Sequence, residues 1–144
     1  MFTNLQSIAN VTITSGINNI QSIEYCNNGR IPALKVDEAI EDDAKVVIVS
    51  GDTATSLYTL MMKYYLYPNH LSQYYLQVCI INLKDIKNNM IKNNYSYIYF
   101  FSIDDDLRQG AKKEFDNDVE LKDETLYKLQ VENDKVELIE IPLD

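Results

Sequence analysis

The chain has 144 residues, of which 46% are hydrophobic and 24% charged, a globular composition long enough for one domain around a single core. Thirteen basic against twenty-two acidic side chains leave a net charge of −9, and Lys112-Lys113 is the one pair of adjacent basic residues. Such a chain lacks the basic face that nucleic acid requires, and its acidity opposes adsorption to an anionic membrane surface.

Residues 1–35 read as an irregular lead-in. Asn10-Val-Thr-Ile-Thr14 alternates like a short edge strand, and Asn27-Asn-Gly29 is a turn signal. Pro32 is expected to keep a helix from running through this stretch. A single α/β domain then fills residues 36–144. Val36 to Asp43 predicts a short acidic helix with Val36, Ala39 and Ile40 inward. Val46 to Val49 is a continuous β-branched run, the pattern of a strand buried on both faces. Ser50-Gly-Asp52 breaks it, with Asp52 or Thr53 placed to cap the next helix. There Leu57, Leu60, Met61 and Tyr64 recur at helical spacing as an inward face, and Pro68-Asn69 ends the run.

Leu76 to Leu83 predicts the next apolar strand. Asp85 can cap a helix that reaches Asn93, with Ile86, Met90 and Ile91 inward. Tyr97 to Ile103 is a third core strand, rich in aromatic and β-branched residues. A helix is expected from Leu107 to Phe115. Leu126 to Val131 and Lys135 to Ile141 both alternate, and Asn133-Asp134 between them predicts a β-hairpin. The order β-α-β-α-β-α followed by a hairpin predicts an α/β fold, a small Rossmann-like three-layer α/β sandwich with a mostly parallel sheet and a C-terminal β-hairpin.

Candidate chemistry gathers at strand ends, where open α/β sheets bind ligands. Ser50, Gly51 and Asp52 follow the first core strand and precede a helix whose N–H groups could hold a phosphate or carboxylate. The loop is neither GxGxxG nor a P-loop, and Asp52 would repel an anion, so a cap and turn compete with a ligand site. Asp104 and Asp105, with Asp106, follow the third strand at the same edge. They could hold a divalent cation, or cap the helix behind them and complement its dipole.

His70 has no accompanying nucleophile from which a triad could be argued. Cys26 and Cys79 show neither CxxC spacing nor a histidine pair, so no metal is expected, and no cofactor motif is present. Whether the two cysteines pair is open, and Cys79 within Val78-Cys-Ile-Ile81 reads as a small core residue. The eleven tyrosines could stack on sugar rings or bury the ring and keep the hydroxyl wet. No catalytic residue is assigned. Met1-Phe-Thr-Asn4 lacks the features of a signal peptide, and no run approaches the roughly 18 apolar residues of a membrane helix. The stretch therefore reads as soluble, by itself or as a soluble part of a longer membrane protein.

Taken in order, Lys45-Val-Val-Ile-Val-Ser50, Tyr64-Tyr-Leu-Tyr-Pro68, Tyr95-Ser-Tyr-Ile-Tyr99 with Asp104-Asp105, Leu126-Tyr-Lys-Leu129 and Lys135-Val-Glu-Leu138 resemble a known pattern. It is that of the soluble domain following the last membrane helix in many Gram-positive multi-pass proteins of the GT-C glycosyltransferase type. The likeness runs from about Val36 to Ile141; Ser96 stands where the pattern has an acid, and residues 1–35 match no part of it. The resemblance implies an extracytoplasmic, non-catalytic accessory domain. Its partners would be the transmembrane part of the same polypeptide and cell-envelope glycan. Catalysis would belong to the membrane part, so the resemblance carries no catalytic residue onto this stretch. Two alternatives stay open: a free-standing cytoplasmic protein binding a small ligand near Gly51, Asp52 and Asp104, and an interaction module using an exposed edge of the hairpin.

Overall fold

The computed structural model describes residues 29–51, 56–66 and 82–144. The expected strand at Asn10 to Thr14, most of that at Leu76 to Leu83, Cys26, Cys79, His70 and Asp52 lie outside them. The described elements are a helix over residues 29–39 (α1), strand Val46–Ser50 (β1), helices Ser56–Leu66 (α2) and Leu83–Asn93 (α3), strand Tyr97–Phe101 (β2), helix Asp105–Glu114 (α4) and strands Thr125–Glu132 (β3) and Lys135–Ile141 (β4).

β-branched and aromatic side chains make β1 and β2 strands, because the pleated surface accepts groups that crowd a helix. Every residue of β2, Tyr97-Ile-Tyr-Phe-Phe101, is buried, as a strand covered on both faces must be. Asn82, whose side chain accepts from the N–H groups of Lys84 and Asp85, starts α3, and Asn94 ends it in the left-handed conformation at φ 57°. Helix α3 therefore begins at Leu83, which the sequence pattern had assigned to the preceding strand. Asn82 is the better cap because its short side chain reaches the free donors of the first turn.

The strands lie in the order β1-β2-β3-β4. β1 runs parallel to β2, from Val46 beside Tyr97 to Ser50 beside Phe101. β2 and β3 are antiparallel, as are β3 and β4. The described sheet is thus open and mixed, with one parallel pairing, and the expectation of a mostly parallel sheet is corrected. The cause lies in residues 115–124. After α4 returns the chain to the start of β2, this segment crosses the domain again, buried through Val119 and Leu121. β3 therefore begins level with the end of β2, where Thr125 pairs with Phe100. The hairpin itself is as expected: Asn133 and Asp134 both take positive φ, 50° and 64°, the geometry of a two-residue turn matching strand twist.

Alternation along the strands divides the core in two. On one face Val46, Ile48, Tyr97, Tyr99, Phe101 and Leu126 pack with Ala33, Val36 and Ile40 beside α1, and with Tyr58, Met62 and Leu66 of α2. On the other, Val49, Ile98, Phe100, Tyr127 and Leu138 meet Leu83, Ile86 and Met90 of α3 and Leu107 and Ala111 of α4. Helices thus cover both faces of the sheet.

Three local expectations fail. Helix α1 contains Pro32 and stops at residue 39, four short of Asp43. In α2 the inward face is Tyr58, Met62 and Leu66, whereas Leu60 and Tyr64 are 54% and 72% exposed. The run is apolar nearly all round, so spacing alone cannot choose the buried stripe. Ile91 is 40% exposed, because Ile86 and Met90 already fill the side of α3 that meets the sheet.

Candidate functional site

The ends of β1 and β2 converge at the edge the sequence singled out. Gly51 N–H donates to the carbonyl of Ser102 at 3.1 Å, continuing the parallel pairing one step beyond the strands. A Cβ on Gly51 would lie 2.4 Å from that carbonyl oxygen, 3.2 Å from Leu107 Cδ1 and 3.3 Å from Asp104 N. Glycine is therefore required here by the approach of the β2–α4 turn. Ser102 itself takes a left-handed φ of 51°, which ends β2 and sets Asp104 at the start of α4.

Asp104 is the N-cap of α4. Its Oδ1 accepts from Leu107 N–H at 2.8 Å, and its carbonyl accepts from Arg108 N–H at 3.2 Å, which satisfies donors of the first turn. Asp105 lies in the solvent, its side chain 94% exposed, and pairs with Arg108 at 3.1 Å. With Asp106 it complements the positive end of the helix. The structure thus brings Ser50 and Gly51 beside the turn that leads to Asp104, but each group has a role in the fold. Among the described residues no group of three or more His, Cys, Asp or Glu side chains is placed to hold a metal ion.

Doubly wound sheets open a ligand crevice where the strand order reverses and neighbouring connections leave in opposite directions. Among the described residues the order follows the chain, β1 to β4, without reversal.

Three polar groupings that the sequence did not signal appear elsewhere. Tyr58 OH and Tyr99 OH are 2.8 Å apart inside the core, where Tyr58 also stacks on Phe101 with ring centroids 4.2 Å apart. Burial pushes both phenols well above the ordinary range, with neighbouring Glu124 adding to the rise, so this contact stays a neutral hydroxyl pair. Tyr58→Phe is expected to cost about 1–3 kcal/mol by stranding the hydroxyl of Tyr99. The double variant Tyr58→Phe/Tyr99→Phe should cost less than the sum of the singles, and a double-mutant cycle by urea denaturation measures this.

At the opposite end of the sheet, Tyr97 O–H donates to Glu41 Oε2 at 2.7 Å, and Lys128 Nζ lies 3.5 Å from Glu41 Oε1. The bond from Tyr97, ahead of the charge of Lys128, holds the Glu41 carboxyl below its usual range. A lowered folded-state value gives stability that is present above the unfolded value and lost as pH falls through the folded one. Glu41→Gln should therefore lower the unfolding free energy read from urea denaturation at about pH 6 more than at about pH 3, by a few tenths of a kcal/mol at most, since the group is solvent-screened. These residues fasten the α1–β1 turn to the sheet.

The third grouping lies beside β4. Asp116 N–H donates to the carbonyl of Val136 at 2.9 Å, and Val136 N–H donates to Asp116 Oδ2 at 2.6 Å. Asn117 Nδ2 donates to the carbonyl of Leu138 at 2.8 Å, and Leu138 N–H donates to Asn117 Oδ1 at 3.1 Å. No sequence signal links positions 20 residues apart in this way.

Among the described tyrosines considered for sugar stacking, Tyr64 and Tyr65 are exposed, on α2. Their rings meet edge to face at 5.2 Å, Arg30 lies 5.9 Å from the centre of the Tyr65 ring, and Tyr64 is the more exposed of the two. Comparison of the chain with protein-family models, with curated proteins and with solved structures finds no match.

Proposed function

We propose that the chain is a non-catalytic extracytoplasmic accessory domain of a multi-pass, GT-C-type glycosyltransferase-like membrane protein, in which the membrane part carries out sugar transfer. The proposal rests on the ordered phrases from Lys45 to Leu138 and takes the fold as a small Rossmann-like sandwich. The observation that carries its non-catalytic half is the packing of Gly51 against Ser102, Leu107 and Asp104. Together with the capping role of Asp104, it gives the described strand-end residues a structural role, which supports that half. Tyr64, exposed on α2, is the ring best placed to meet cell-envelope glycan or the transmembrane part.

The test uses native cells and an antibody raised against this domain. The expected signal is a membrane-bound polypeptide far larger than 16.7 kDa, whose domain is digested when protease is added to intact cells. A 16.7 kDa cytosolic band that survives the protease would overturn the reading. The isolated domain is also expected to show no rise in melting temperature with nucleotides, nucleotide sugars or divalent cations, since only a ligand of the folded state raises it. A saturable rise would favour the free-standing ligand-binding alternative instead.

A further inference from the structure

A strand at the end of a sheet presents a row of backbone donors and acceptors that another chain can pair with. In β4 those of Val136 and Leu138 are occupied: Asp116 holds both groups of Val136, and Asn117 holds both groups of Leu138. An asparagine side chain carries the same donor and acceptor as a peptide unit. Asn117 thus offers Leu138 what a neighbouring strand would offer, without continuing into a strand itself.

We propose that Asp116-Asn117 is a built-in guard of the sheet, and that β4 without it pairs with β4 of a second copy of this chain. The sequence of β4 favours that partner. Antiparallel pairing centred on Leu138 sets Lys135 opposite Ile141, Val136 opposite Glu140 and Glu137 opposite Ile139. No like charges face each other, and the outward backbone groups of residues 136, 138 and 140 meet in hydrogen-bonded pairs. The arrangement is two-fold symmetric, so one exposed edge suffices for a closed dimer.

The experiment compares the full 144-residue chain with Asp116→Ala/Asn117→Ala, which removes the side-chain bonds to Val136 N–H and to both groups of Leu138, by sedimentation across a wide range of concentration, and by amide hydrogen exchange. The wild type is expected to be independent of concentration at this edge, with the Val136 and Leu138 amides protected. In the variant the Leu138 amide should exchange about tenfold faster under conditions where it is monomeric, and the chain should dimerise as concentration rises. Adding Val136→Pro, which removes an outward N–H that takes no part in the β3–β4 ladder, should abolish the dimer. A variant that stays monomeric throughout would overturn the proposal. So would a triple variant that still dimerises, or wild-type Val136 and Leu138 amides that exchange as fast as those of the Asn133-Asp134 turn. Should that variant be too unstable to study, Asp116→Ser/Asn117→Ser, whose shorter side chains give up the same bonds to Val136 and Leu138, replaces it, and the same outcomes decide.

Discussion

Phe100→Ala is expected to destabilise the domain by about 3–5 kcal/mol, the range for deleting a buried phenyl ring. Phe100 is 0% exposed and sits mid-strand in β2, between β1 and β3. Its ring meets Tyr127 edge to face, centroids 5.8 Å apart, and shares the core with the buried faces of α3 and α4. Removing it takes away a ring that the strand, both neighbouring strands and two helices pack around, and a rigid sheet cannot close over the void. With total stabilities of domains this size commonly about 5–15 kcal/mol, the loss would be a large share of the whole. Urea denaturation followed by circular dichroism measures it. A loss below about 1 kcal/mol would mean that the α3–α4 side of the core is not packed as described.

Gly51→Val should cost about 3 kcal/mol, at the upper end of the range for overpacking. The obstruction is a backbone carbonyl, that of Ser102, which a Cβ would approach to 2.4 Å. A carbonyl cannot swing aside like the end of a flexible side chain; β1 would have to part from the β2–α4 turn and give up the bond between Gly51 N–H and Ser102. Gly51→Ala should show the same effect in smaller measure, since the first added carbon makes the clash. The loss is expected with no ligand present and unchanged by added nucleotides or divalent cations. If Gly51→Ala left stability untouched and weakened binding of some small molecule, the strand-end position would be a ligand site after all.

This second result bears on how the strand-end motifs are to be understood. Ser50-Gly51 and Asp104-Asp105 stand where ligands of α/β sheets bind, and their residue types suit both a binding loop and a cap. Composition cannot separate the two, because a cap and an anion or cation site draw on the same donors and carboxylates. The separation came from geometry: the 2.8 Å bond from Leu107 N–H to Asp104 and the contact of Gly51 with the neighbouring turn show the local role of each group. Asn117 is the converse case. Nothing around it distinguishes it from any turn asparagine, yet it closes the edge of β4.

Local chemistry was sufficient where neighbours along the chain decide the outcome. β-branched and aromatic runs made β1 and β2, Asn133-Asp134 made the hairpin, and Asp104 made a helix start; steric preference and hydrogen bonds spanning a few residues suffice for these. The tertiary structure alone decided which stripe of α2 is buried, because an apolar helix has no preferred side until a sheet is laid against it. It alone decided that β3 runs antiparallel to β2, because the second crossing by residues 115–124 depends on burying Val119 and Leu121 against a core built from distant parts of the chain. And it alone decided that Gly51 packs against the β2–α4 turn, because its closeness to Ser102 joins residues 51 positions apart, a relation that no local pattern encodes.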